Sequence, residues 1–112
     1  MNVCIIGDNL TSLSLAKILI NKKINVDICH KTNRSTLSSN RTIGISTNNF
    51  EFYEKEIQKI DKKYTWGINE IEIFSEKLKK KRILSFQRNN KNLFLLVKNE
   101  DLYKLLKKNL LK

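Results

Sequence analysis

The sequence has no proline, three glycines, two cysteines and one histidine in 112 residues. Ala16 is its single alanine, and only four of its 22 basic residues are arginine. Each shortage excludes something. Without proline or glycine-rich stretches there is no low-complexity linker to divide the chain, and the length suits one domain. Two cysteines, with no basic n-region ahead of an apolar segment, do not build a disulfide scaffold; a reduced, cytoplasmic setting is expected. Two cysteines and one histidine without ligand spacing give no metal site. No apolar run approaches the ~20 residues that a membrane-spanning helix needs.

Acidic residues are scarce as well, 11 against 22 basic, leaving a net charge of +11. Such a surface suits anionic partners, nucleic acid first among them. The excess is nearly all lysine, and it comes with 14 asparagines and 14 isoleucines. A reader of DNA uses the planar arginine guanidinium, which grips guanine and phosphate in two-point fashion. Nucleic acid is therefore disfavoured, and the lysines read mainly as solvated surface. Hydrophobic residues make up 40% and charged residues 29%, a globular composition.

Val3-Cys4-Ile5-Ile6, closed by Gly7, reads as a buried strand of a parallel sheet. Leu10 to about Lys22 reads as a helix with Leu13, Ala16 and Ile20 on one side and Leu15, Ile18 and Leu19 beside them. Ile24 to Cys29 alternates apolar with polar residues, a second strand. The first thirty residues are thus β-α-β, with parallel strands and a right-handed crossover. A polar loop follows over Lys31–Asn40, then an extended piece over Arg41–Ser46. A helix is expected from Asn48, with Asn48 and Glu51 at capping-box spacing and Phe50, Tyr53, Ile57 and Ile60 on one face. Ile68–Phe74 and Ile83–Phe86 read as a hairpin through Glu76–Lys81, and Asn89-Asn90 as a turn. Leu93–Val97 is a further strand. Asn99 is placed to cap a last helix, with Glu100 and Asp101 in its first turn and Leu102, Leu105, Leu106 and Leu110 inward.

The register of the first unit carries chemical information. Gly7, Asn9, Ser12, Ala16, Leu19, Val26 and His30 stand at the positions of the dinucleotide-binding fingerprint: three glycines, a small residue, apolar residues, and an acid about 20 residues on. The first glycine makes a tight turn. The second lets backbone N–H groups approach a pyrophosphate. The third lets the helix pack close, and the helix N-terminus faces the anion. The final acid accepts from ribose hydroxyls. Only Gly7 is retained. Asn9 puts a side chain in the approach path, Ser12 is small but not glycine, and His30 offers a single acceptor where a carboxylate offers paired ones. On these residues alone, a nucleotide site and a βαβ unit that binds nothing both remain open.

Three stretches, in this order, resemble the flavin-dependent aromatic hydroxylases of ubiquinone biosynthesis, the 2-polyprenyl-6-methoxyphenol hydroxylase family. They are Val3–Ser12, then Asn40-Arg41-Thr42-Ile43-Gly44-Ile45-Ser46, then Leu96-Val97-Lys98-Asn99-Glu100-Asp101-Leu102. The resemblance implies an α/β fold: a Rossmann-like βαβ unit binding flavin adenine dinucleotide (FAD), with an added helix and a small β-hairpin. Residues 1–112 would form the N-terminal portion of that domain, incomplete relative to the full family fold. The pyrophosphate would lie over Gly7, Asp8, Asn9, Leu10, Thr11 and Ser12, the adenosine ribose near His30 and Lys31, and Arg41 would approach the adenine-side ribose and phosphates. Glu100 stands where the family carries an arginine. Members hydroxylate a polyprenyl phenol with NAD(P)H as reductant, using a second Gly-Asp motif and substrate walls that lie beyond the matching stretch. The chain is accordingly expected to be a fragment or one half of a two-chain enzyme, without catalytic residues of its own. Peripheral contact with the inner membrane surface follows from the polyprenyl substrate.

Further readings belong to single residues. His30-Lys31 with Arg34 is also a pattern that meets a 2′-phosphate in NADP sites. Cys4 and Cys29 are expected to be core thiols on neighbouring strands, and Trp66 a buried anchor in preference to a stacking platform. Lys77-Leu78-Lys79-Lys80-Lys81-Arg82 is expected to be a solvated hairpin tip, with anionic lipid or RNA as the alternative. The two rival functions are a degenerate, non-catalytic nucleotide-binding module and a basic protein that binds RNA or a lipid surface.

Overall fold

A computed structural model describes residues 1–31, 41–79, 81–89 and 91–110. Seven strands and three α-helices follow in the order β1 (Asn2–Ile6), α1 (Leu10–Asn21), β2 (Asn25–Cys29), β3 (Thr42–Ser46), α2 (Thr47–Glu56), β4 (Thr65–Ile68), β5 (Glu70–Ser75), β6 (Lys81–Gln87), β7 (Phe94–Lys98) and α3 (Asn99–Leu110), with a 3₁₀ turn over Lys62–Tyr64. The mixed α/β class, the opening βαβ unit, the added helix and the small hairpin are present. The loop expected over residues 31–40, Arg34 included, lies outside the described residues from 32 onward.

Strands β1 and β2 pair in parallel, Val3 with Val26 and Ile5 with Ile28. Helix α1 packs on one face of this pair, where Ile5, Leu13 and Ala16 are buried. The other face has no second layer among the described residues. Ile6 is 87% exposed there, and both cysteines are exposed. The β1 run is therefore half-covered, not buried on both sides as its composition suggested. Cys4 and Cys29 are surface thiols, with sulfurs 3.8 Å apart, and not core residues. The neighbouring Cys29 sulfur, by hydrogen bond and charge, pushes the Cys4 thiol up.

Helix α1 ends in a left-handed turn at a lysine. Lys23 has φ 62°, its N–H bonds to the Ile20 carbonyl at 2.8 Å, and the Ile24 N–H reaches back to Leu19 at 3.0 Å. These are the two closing bonds of a Schellman motif, in which glycine is the usual left-handed residue.

A second, antiparallel sheet has the order β3-β7-β4. Strand β4 is separate from β5, dividing what the sequence pattern joined after Gly67. Trp66 pairs in register with Leu96 and is 48% exposed, so it is not a buried anchor; the Lys98 ammonium lies 5.8 Å from its ring centroid. Helix α2 starts at Thr47, one residue earlier than expected. Its cap is Ser46, whose hydroxyl accepts from the Asn49 N–H, and not Asn48. Pairing of Ser46 with Phe94 ends β3 at the residue best suited to begin a helix. Ile57 and Ile60 are buried, but as the cap of α2 and in the segment after it.

The main core joins α1, β7 and α3 through Leu13, Val97, Leu102, Tyr103 and Leu106, with Ile57 and Ile60 beside them. Val97 and Leu106 are 0% exposed. Helix α3 carries the acidic first turn that its sequence announced, Glu100 and Asp101, with Lys107 and Lys108 in its last turn.

Strands β5 and β6 pack chiefly on each other. Ile71 and Ile73 face Phe86 and Leu84 across the pair, while Glu72 and Arg82 form an ion pair at 3.0 Å. Every residue of β6 is exposed. The radius of gyration is 17.8 Å, against roughly 13 Å for a compact chain of this length.

Candidate functional site

Gly7 closes β1 at φ 114°, the only positive-φ glycine among the described residues. Its N–H bonds to the Cys29 carbonyl at 2.8 Å, which ties the turn to the end of β2. A Cβ placed on Gly7 would lie 3.4 Å from the Ser12 hydroxyl oxygen, so the turn and the first coil of α1 are in close contact. A glycine at this position makes the tight turn that the first glycine of the fingerprint makes.

Asn9 does something different from the glycine it replaces. Its backbone is extended, with φ −74°, so the position needs no left-handed conformation. It is the N-cap of α1, and its side-chain oxygen accepts from the Ser12 N–H at 2.9 Å. One donor that a phosphate would use is therefore satisfied internally. Leu10 and Thr11 supply the preceding backbone of this first turn.

Beside this turn, at the ends of β1 and β2, a cleft of about 140 Å³ opens between α1 and α3, lined by Asp8, Leu13, Ile28, His30, Tyr103, Lys107 and Leu110. Asp8 is its centre. The Tyr103 hydroxyl donates to Asp8 Oδ2 at 2.8 Å, and His30 Nδ1 lies 3.6 Å from the same oxygen. Asp8 and His30 each keep about a third of their side chain exposed, so the carboxylate faces the opening. Tyr103 is 8% exposed. Burial, with the Asp8 carboxylate beside it, pushes its phenol above the ordinary tyrosine range. The Lys107 ammonium stands 5.5 Å from the Tyr103 ring centroid and adds a positive charge at the rim.

The structure thus brings together Gly7, Asp8 and His30 among the residues singled out from the sequence. Asn9, Leu10, Thr11 and Ser12 form the adjoining helix start and do not line the cleft. Lys31 is exposed at the end of β2, and Arg41 is exposed ahead of β3; neither lines the cleft. The Arg41 carbonyl accepts from the Asn99 N–H at 2.8 Å, which places Arg41 at the start of α3, one turn before Tyr103. Glu100, also in that turn, pairs with Lys104, whose ammonium holds the carboxyl below the usual carboxylate range. Asp8 is expected from the sequence only at the pyrophosphate turn, and the structure sets its carboxylate against His30. Tyr103 escaped the sequence reading altogether. The signal for Tyr103 was its helical spacing with Leu106 and Leu110, which sets it on the inward face of α3. No group of three or more metal-ligating side chains occurs among the described residues.

No protein-family model matches the chain, and no curated protein is significantly similar to it in sequence. Solved structures are similar. Among them is 2,6-dihydroxypyridine-3-hydroxylase from Arthrobacter nicotinovorans, matched over 96% of this chain with a TM-score of 0.68 and 16% sequence identity. The chain has the fold of part of a hydroxylase. It spans 26% of that protein's length. The opening βαβ unit, the middle helix, the hairpin and the closing strand and helix thus have the fold of about a quarter of that protein's chain. Among the described residues no helix is long and apolar enough to cross a membrane.

Proposed function

We propose that this chain binds the ADP half of FAD, as the first portion of a flavin-dependent aromatic hydroxylase. One observation carries the reading: a positive-φ Gly7 and a half-buried carboxylate, Asp8, meet at the ends of two parallel strands, beside the N-terminus of α1. Ligands of open α/β sheets bind at such strand ends, with phosphate at the helix start and ribose against an acid. The residues fit the adenosine side well. On the phosphate side, Gly7–Ser12 supply the turn, and Asn9 must release the Ser12 N–H for a phosphate to take it.

The flavin supplies the redox chemistry when bound; this chain's residues bind and orient its nucleotide end. The resemblance along the sequence and the similarity of fold to a hydroxylase both favour this class. The finer reading is that the completed enzyme hydroxylates a polyprenyl phenol with NAD(P)H as reductant, at a membrane surface. It rests on the sequence resemblance. Further polypeptide would supply the substrate walls and cover the open face of β1–β2 and the β5–β6 hairpin. Lys31 and Arg41 are proposed to approach the phosphates from the rims.

A second reading is favoured by two specific features. Asn9 caps its own helix, and Glu100 stands where a cation would draw phosphate. Together they describe a module that keeps the fold and has lost its ligand. Titrating FAD into the purified chain, followed by flavin fluorescence and by retention of the yellow chromophore through desalting, separates the two. Saturable binding displaced by ADP supports the first reading. A folded chain that leaves free flavin unchanged overturns it in favour of the second.

A further inference from the structure

We infer that Asp8 supplies the ribose-reading carboxylate that the end of β2 lacks, and that this carboxylate excludes a 2′-phosphate. The inference rests on the nucleotide reading and adds the residue and its specificity to it. In the fingerprint, the acid sits at the end of the second strand, about 20 residues after the glycine turn, and accepts from ribose hydroxyls. Here that position is His30. The structure nevertheless holds a carboxylate beside that strand end, 3.6 Å from His30 Nδ1. It comes from the other side, from the residue directly after Gly7.

Three features make Asp8 suited to this work. It is oriented, because the buried Tyr103 hydroxyl donates to Oδ2 at 2.8 Å and fixes one oxygen. It has capacity left, because Oδ1 has no hydrogen-bond partner among the described residues, and an ionised carboxylate offers about four acceptor sites. It faces a cleft with an apolar floor of Leu13, Ile28 and Leu110, a surface on which a sugar ring and base can lie. Tyr103 is the positioning residue, and it reaches across from α3 to hold the carboxylate at the mouth of β1–β2.

The same charge decides against the alternative that the sequence left open. His30 and Lys31 taken alone suit a 2′-phosphate. With Asp8 against His30, a phosphate on the 2′-oxygen would meet a carboxylate, and like charges at this range repel. Lys107 stands over the Tyr103 ring, 5.5 Å from its centroid, and does not neutralise Asp8 by an ion pair. The cleft therefore takes the unphosphorylated ribose of FAD- or NAD-type nucleotides.

The test is calorimetric titration of the chain with ADP, 2′,3′-dideoxy-ADP and adenosine 2′,5′-bisphosphate, repeated on Asp8→Asn and Tyr103→Phe. Hydrogen bonds to a charged acceptor predict that the wild-type chain prefers ADP over the dideoxy analogue by about tenfold or more. The 2′,5′-bisphosphate is expected to bind more weakly still. Asp8→Asn should shrink the preference for ADP to within about twofold and improve the bisphosphate. Tyr103→Phe, which leaves the charge and frees its orientation, should keep roughly a third of the preference; it serves where Asp8→Asn does not fold by circular dichroism. Binding of ADP with no preference over the dideoxy analogue, or a preference untouched by Asp8→Asn, overturns the role of Asp8 and leaves the nucleotide reading standing. A folded wild-type chain that binds none of the three overturns the nucleotide reading and this inference with it.

Discussion

The α1–β7–α3 unit and the β5–β6 hairpin are built from residues of similar hydrophobicity, and they end in opposite states. In the first, Leu13, Val97 and Leu106 are 3%, 0% and 0% exposed. In the second, Ile73, Phe74, Ile83, Leu84 and Phe86 all stay at least 43% exposed. The difference lies in partners, since both regions have the pattern their elements require. Helices α1 and α3 each bring an apolar stripe to the other and to β7. The hairpin has one apolar face, Ile71, Ile73, Leu84 and Phe86, and nothing among the described residues lies over it. Isolated two-stranded hairpins are marginal in water. Exposed apolar faces of this kind are uncommon on monomeric soluble proteins and mark interaction surfaces.

The contrast can be broken most strongly at Leu106. Leu106→Ala empties a fully buried site where three elements meet and should cost about 2–5 kcal/mol in urea unfolding. A loss below 1 kcal/mol would mean that this core is not the stabilising one. Gly7→Ala is the next largest. The added methyl fits the space, but φ 114° is a region that side chains rarely adopt, so a loss of about 1–3 kcal/mol is expected, along with weaker nucleotide binding. A change in the other direction is expected at the end of α1. Lys23→Gly relieves a left-handed lysine while keeping both closing bonds, and should raise stability by about 1 kcal/mol in the same assay. The smallest effect belongs to the hairpin. Leu84→Ser should move the unfolding midpoint by no more than about 0.5 kcal/mol, since a side chain left half in water loses little burial. A large loss there would show that the hairpin face is covered in solution, by a second copy or by the chain itself.

Local order was legible in the sequence, and distant pairing was not. The βαβ start, the last helix with its acidic first turn, and the hairpin follow from periodicity within a few residues. Strand β4 was missed because its four residues, Thr65–Ile68, show no alternation of their own and gain strand form from β7, some thirty positions on. Trp66 and the cysteines were expected inside because their chemistry favours burial. The structure leaves them outside because nothing among the described residues covers the faces on which they lie. The site divides the same way. Gly7 and His30 stand out by register. The contact that gives the cleft its character, Tyr103 to Asp8, joins residues 95 positions apart, and only the packing of α3 against α1 brings them together.

The central claim is that a nucleotide binds at the ends of β1 and β2 and not along the basic hairpin. Amide chemical-shift mapping of the isotope-labelled chain, titrated with ADP, tests it directly. The account predicts saturable shifts confined to Gly7–Ser12, Cys29–Lys31 and the Tyr103–Lys107 face of α3, with Glu70–Gln87 unmoved. Shifts centred on Lys77–Arg82 that vanish with added salt, or no shifts at all from a folded chain, would contradict it.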